Sequence, residues 1–202
     1  LGGLQGLISG ITVGTGTTGN AYAHTVTNST VRGINYCQTG TGNNKTCNTS
    51  LADPTPVAMP VSEQNIQDWK DAALSGGVYN GNYTVSGSAT LGPMKITGNL
   101  SVTNNATLTV TGTLWVQGNI IASNNGTIKL SSAYGSSSGV VVADGTISIN
   151  NNGKAQGSGT TGSYLMMLTT SNSTSAITVG NNAGTVILYA ANGTVNVSNN
   201  AG

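Results

Sequence analysis

The chain has 202 residues, 37% of them hydrophobic and only 5% charged, with 30 glycines, no phenylalanine and a formal net charge of +1. That length and apolar content suffice for one domain with a continuous core. Six basic residues scattered as Arg32, Lys45, Lys70, Lys95, Lys129 and Lys154 form no stripe that could release counterions from nucleic acid, so nucleic-acid binding is not expected.

Disorder is a poor fit, because disordered chains combine low hydrophobicity with high net charge, whereas here Val, Ile and Leu recur at alternate positions. No run approaches the roughly 20 apolar residues of a membrane span, and Leu1 to Val13 is too rich in glycine, and lacks the basic start, for a signal peptide. The start at Leu1 rather than Met is expected to mark a processed or truncated chain.

Residues 1–50 hold short, imperfect strand patterns at Gly10 to Val13, Asn20 to His24, Thr25 to Thr27 and Thr30 to Tyr36. Cys37 and Cys47 are the two cysteines, and the Gly, Asn and Thr residues between them suit a small disulfide loop; two free thiols are the alternative. A disulfide implies an oxidising compartment. Zinc is a poor rival without a neighbouring histidine. His24, the single histidine, has no nucleophile elbow beside it and is expected to be a satisfied or exposed strand residue.

The segment 51–80 breaks the pattern. Pro54, Pro56 and Pro60 make an extended connector, and Ser62 then suits a helix N-cap, with Glu63 in the first turn and Gly76-Gly77 as the stop. The spacing predicts one helix near 62–75 with Ile66, Trp69 and Ala73 as its buried stripe. Glu63 and Lys70, or Asp68 and Asp71, are expected on its solvated face.

From Gly81 a unit recurs: Gly98-Asn99-Leu100-Ser101-Val102-Thr103-Asn104-Asn105-Ala106-Thr107-Leu108 returns as Gly118-Asn119-Ile120-Ile121-Ala122-Ser123-Asn124-Asn125-Gly126-Thr127-Ile128. Later copies carry Ile147, Ile149 and Asn151, then Ile177, Val179 and Asn181, and finally Val195, Val197 and Asn199. A tandem strand, amide pair and second strand mark a repeat whose turns cannot bury their apolar faces alone but share a core when stacked at about 4.8 Å. The fold expected is all-β, a right-handed parallel β-helix (solenoid) with one short helix, as one continuous structural domain: imperfect turns over 1–50, connector and helix over 51–80, main repeats over 81–202.

Alternation places Leu100, Val102, Leu108, Val110, Ile120, Ile128, Leu130, Ile147, Ile149, Ile177, Val179, Ile187, Val195 and Val197 inward. The paired amides follow strand ends, where Asn tolerates the left-handed region, and Asn104, Asn124, Asn151, Asn181 and Asn199 are expected to stack as a ladder. Insertions at Ser131 to Gly139 and Gly157 to Gly162 belong at corners, where any site would lie.

Catalytic chemistry finds little material. The acids are Asp53, Glu63, Asp68, Asp71 and Asp144; Asp144 stands alone in the repeats, so a glycosidase pair would need a partner from the helix. No glycine-rich stretch ends in the Lys-Ser/Thr of a phosphate loop. Tyr134, Trp115, Tyr164 and Tyr189 are aromatics that could stack on sugars, with core packing expected for Tyr164 and Tyr189.

The run Pro60-Val61-Ser62 through Gln67, with Trp69-Lys70-Asp71 and Leu91-Gly92-Pro93-Met94-Lys95-Ile96-Thr97-Gly98-Asn99-Leu100, resembles a family of bacterial minor-pilin-like (PilX-type) pilus-assembly and surface proteins. Ser138-Gly139-Val140-Val141-Val142-Ala143-Asp144-Gly145, Gly157-Ser158-Gly159-Thr160, Gly162-Ser163-Tyr164 and Ile187-Leu188-Tyr189-Ala190 agree too, so the likeness covers most of the chain from about Ala21. The resemblance implies a passive β-helical region outside the cell, in proteins that commonly begin with a pilin-type hydrophobic helix that these residues do not include. It implies no catalytic residue.

The function expected is therefore non-enzymatic: an extracellular β-helical subunit or stalk of a bacterial surface filament or pilus-associated adhesin, without cofactor or metal. Its partners would be other copies or pilus components. Alternatives are a carbohydrate-binding module using Tyr134 and Trp115, or a polysaccharide-degrading enzyme. The strand edge at Asn199 to Gly202 is expected to be continued, capped or paired.

Overall fold

The computed structural model describes residues 6–53, 60–183 and 187–198; Pro54, Pro56 and Asn199 lie outside them. Contacts divide the chain into two compact units, Leu1–Pro60 and Val61–Gly202. The expected connector thus splits, and its helical half belongs to the second unit.

In the first unit β1 (Leu7–Ser9), β2 (Thr12–Val13) and β3 (Ala21–Tyr22) are followed in the same order by parallel partners β4 (Thr25–Thr27), β5 (Thr30–Val31) and β6 (Asn35–Tyr36). Its core is small: Val26, Val31, Ala21, Ala23 and Cys37. Cys37 and Cys47 are joined by a disulfide. A core this limited leans on its staple, and closing a loop of roughly 10 residues is worth about 2.5–3 kcal/mol. Replacing both cysteines by serine in the whole chain is expected to remove that much protection from the Val26 and Val31 amides in hydrogen exchange, and unchanged protection would refute the estimate.

The second unit opens with α1 (Glu63–Leu74), whose Ser62 cap accepts from the Asn65 backbone N–H while the Asn65 side chain accepts from the Ser62 N–H. This reciprocal cap satisfies two donors that a helix start leaves open. Ile66 and Ala73 are buried and Trp69 is half-buried.

The strands then run β7 (Val78–Tyr79), β8 (Tyr83–Val85), β9 (Ser88–Leu91), β10 (Met94–Ile96), β11 (Leu100–Thr103), β12 (Thr107–Val110), β13 (Leu114–Val116), β14 (Ile120–Ser123) and β15 (Thr127–Leu130). They continue as β16 (Gly139–Ala143), β17 (Ile147–Ile149), β18 (Lys154–Gln156), β19 (Leu165–Thr169), β20 (Ile177–Val179), β21 (Ile187–Ala190) and β22 (Val195–Val197). All pairing is parallel and passes to every third strand up to β19: one six-stranded sheet is β7-β10-β13-β16-β19-β21, a second is β8-β11-β14-β17-β20-β22, and β9-β12-β15-β18 make a four-stranded third among the described residues. Among the described residues the chain is therefore mostly β, in parallel sheets, with one α-helix.

Register stacks like on like. Leu100, Ile120, Ile147 and Ile177 lie over one another, and every expected inward residue from Leu100 to Val179 is at most 1% exposed. The last three are corrected. Ile187 is 44% exposed and faces outward, in register with Met166, while its neighbour Leu188 packs on the core. Val195 and Val197 keep the inward register over Ile177 and Val179 but are 37% and 62% exposed, because no described strand follows to cover them.

The first sheet is apolar on both faces. Val141 and Met167 join the main core, while Val140, Val142 and Leu168 look outward and are buried with Ile66 of α1. Doubly covered strands become continuous apolar runs.

Candidate functional site

Polar side chains in the second unit are largely spent on joining one turn to the next. The Asn82 amide oxygen accepts from the Asn99 backbone N–H, Asn99 from Asn119, and Asn119 from Thr146, each at 2.8 Å. These bonds span 17, 20 and 27 residues, so corner insertions of different length leave the rungs in phase. The glycine before each donating residue, Asn99, Asn119 and Thr146, makes room for the amide: a Cβ on Gly98, Gly118 or Gly145 would lie 2.3–2.4 Å from the Asn oxygen beneath. Asn20 receives the Ile34 N–H in the same way within the first unit.

The expected amide-pair corner takes the left-handed form at Asn104-Asn105, Asn124-Asn125 and Asn151-Asn152. Side-chain bonds join Asn124 to Asn104 and Asn125 to Asn105. Farther along, the link is made by backbone, the Asn152 N–H donating to the Asn181 carbonyl.

Asp144 and Lys70 are brought together across 74 residues, at 2.6 Å. Asp144 Oδ1 also accepts from Thr170 Oγ1 at 3.1 Å, and Oδ2 from the Trp115 indole N–H at 2.8 Å. This corrects the placement of Lys70: its side chain is only 15% exposed and turned to the sheet, while Asp68 and Asp71 remain exposed and accept from Gln64 and Gln67 one turn earlier. Trp115 sits beneath two cations, Lys95 Nζ at 4.1 Å and Lys70 Nζ at 5.2 Å from its ring centre. His24 is paired with Asp53 at 2.7 Å in the first unit.

Among the described residues, a concavity beside Tyr134 could take a ligand. The Ser131 to Gly139 corner forms a short 3₁₀ turn over Ser132–Tyr134 and stands beside α1, leaving a hollow of about 290 Å³ between Trp69 and Tyr134. Its floor is the outward row Val140, Met166 and Ile187, and Thr113 and Ser138 add hydroxyls. A second hollow of about 330 Å³ is also lined by Tyr134, together with Thr111, Ser131, Ala133 and Ser137. The corner is held rigidly: Ser158 Oγ donates to the Gly135 carbonyl at 2.5 Å and Ser163 Oγ to the Ser137 carbonyl at 2.7 Å. Burial pushes the Tyr134 phenol above its ordinary value, so the hydroxyl keeps its proton.

Of the two corners named from sequence, Ser131 to Gly139 lines the concavity and brings Tyr134 to it, whereas Gly157 to Gly162 supplies none of its described lining residues. Trp115 does not line it; Trp69 takes that place. Tyr164 is 50% exposed rather than packed in the core, and Tyr189 is half-buried with its hydroxyl donating to the Val61 carbonyl. Among the described residues no group of His, Cys, Asp and Glu could hold a metal ion, and no helix is long and apolar enough to cross a membrane.

Comparison of the chain with family models, curated proteins and solved structures finds no match.

Proposed function

We propose that this chain is a non-enzymatic, extracellular structural protein, a right-handed parallel β-helix serving as a subunit or stalk of a bacterial surface filament or pilus-associated adhesin. The observation that carries the reading is the use of side-chain amides as rung-to-rung ties, from Asn82 through Asn99 and Asn119 to Thr146. Polar groups engaged in this way contribute to cohesion along one axis and are not available to a substrate. Asp144, the acid in the best position for catalysis, accepts three hydrogen bonds, whereas a general acid or base needs a lone pair or proton facing its substrate. The disulfide suits an oxidising compartment outside the cytoplasm, and the pilus connection comes from the sequence resemblance.

Cryo-electron microscopy of material sheared from the surface of producing cells tests the assignment. Filaments containing the chain, with a rung spacing of about 4.8 Å along the axis, are the expected result. A monodisperse soluble monomer, with no filament on the cells, would overturn it.

A further inference from the structure

The concavity beside Tyr134 has a composition that restricts what can fill it. The first hollow is lined by the aromatic side chains of Trp69 and Tyr134, by aliphatic Val140, Met166 and Ile187 and by hydroxyls; among the described residues no charged side chain lines either hollow. A neutral molecule is favoured, since an ion would lose its hydration without a counter-charge. Each hollow lies near the small end of the ~300–1,000 Å³ range of small-molecule sites, which suits a single ring and not a helix or strand.

The polar atoms narrow the choice further. Among the described residues, the Trp69 indole N–H and the Tyr134 hydroxyl have no hydrogen-bond partner, and Ser138 Oγ accepts from the Tyr164 backbone N–H at 3.1 Å, which leaves its own proton to donate. Aromatic faces bordered by donors and acceptors match a pyranose, whose C–H face is apolar and whose edge is hydroxylated. A lipid chain would leave the hydroxyls unpaired. Two hollows that share Tyr134 as a lining residue match successive rings of one chain.

We infer that the two hollows lined by Tyr134, the first of them also by Trp69, form a binding site for a neutral oligosaccharide. The site is built before the ligand arrives, because the corner carrying Tyr134 is tied to the neighbouring corner by Ser158 and Ser163. Preorganisation removes the ordering cost that a mobile loop would add to binding. The inference stands apart from filament formation: a chain that never polymerises would still bind, and a filament without affinity for sugar would remain a filament.

The test is titration of the whole chain with cellohexaose, maltohexaose, mannohexaose and galactohexaose, followed by the fluorescence of its two tryptophans, of which Trp69 lines the hollow. At least one sugar is expected to give a saturable change. Tyr134→Ala should weaken that binding by roughly tenfold or more, Tyr134→Phe by no more than about threefold, and Tyr164→Ala, outside the hollow, by nothing measurable. Ser138→Tyr, at an exposed loop position, fills the hollow and should abolish binding even if Tyr134→Ala fails to fold. Saturation by none of the four sugars, binding that survives both Tyr134→Ala and Ser138→Tyr, or preference for polygalacturonate over every neutral probe would overturn the inference. So would sedimentation showing that Tyr134→Ala instead dissolves an association between copies seated on exposed Ile187.

Discussion

Gly118→Ala is expected to destabilise the second unit by about 2–4 kcal/mol, an overpacking cost joined to a lost hydrogen bond. The added Cβ would stand 2.3 Å from the Asn99 amide oxygen and 2.7 Å from the Gly98 carbonyl oxygen, where real contacts do not come below 3.0 Å. Relief requires one of two losses. Either Asn99 swings away and releases the Asn119 N–H it holds at 2.8 Å, or the two turns separate and weaken the Gly118 to Gly98 backbone bond of 3.1 Å. The control is Gly87→Ala, at a corner with φ +72° and nothing within 4 Å of the new Cβ. That variant meets only the left-handed backbone penalty, about 1 kcal/mol. Urea unfolding at constant slope measures both. Equal midpoints for the two variants would show that the Gly-Asn contact is not what sets the rung spacing.

Asp144→Ala should cost about 2–3 kcal/mol. Truncation leaves the Lys70 ammonium, 15% exposed, without its anion, leaves the Trp115 N–H without an acceptor, and leaves the Thr170 hydroxyl only the Ala143 carbonyl at 3.5 Å. Breaking a fully buried pair costs about 3–5 kcal/mol; the figure is reduced because Asp144 is 28% exposed and partly screened. The double variant Lys70→Met with Asp144→Leu should recover at least half the loss, since apolar groups of similar size remove the uncompensated charge together with its desolvation. A double variant no more stable than Asp144→Ala alone would mean that the carboxylate acts through Trp115 and Thr170 and not through Lys70. Helix docking gives the second readout, because α1 lies on the outer face of the sheet built from β10, β13 and β16.

How far the sequence carried differs from element to element. The helix was legible because its signals are local: Ser62, the apolar positions Ile66, Trp69 and Ala73, and the glycine stop all lie within a short span. The inward set from Leu100 to Val179 was legible because β11, β12, β14, β15, β17 and β20 are covered on one side only, and one-sided burial writes itself as alternation. Ile187 was misplaced for the complementary reason. Ile187-Leu188-Tyr189-Ala190 belongs to a sheet that also carries apolar residues on its outer face, and an unbroken apolar run does not reveal which alternate residues look in. The Gly-Asn corner was visible as a recurring dipeptide, but the amide's role as acceptor for the next turn was not. That role depends on the height of one turn above another.

By itself, then, the sequence left the pairing of Cys37 and Cys47 open but determined a parallel repeat with a shared core, its amide corners and a capped helix. These follow from periodicity and from residue-specific backbone preference, both of which act between near neighbours or between equivalent positions of a repeat. Tertiary structure alone decided that α1 lies on the doubly apolar sheet, that Lys70 meets Asp144 across 74 residues, and that Trp69 faces Tyr134 while Trp115 is covered by lysines. Such pairs arise once in the chain, so no period announces them; they depend on the net burial gained when a helix settles on a particular sheet, which is a property of the assembled surface and not of any segment.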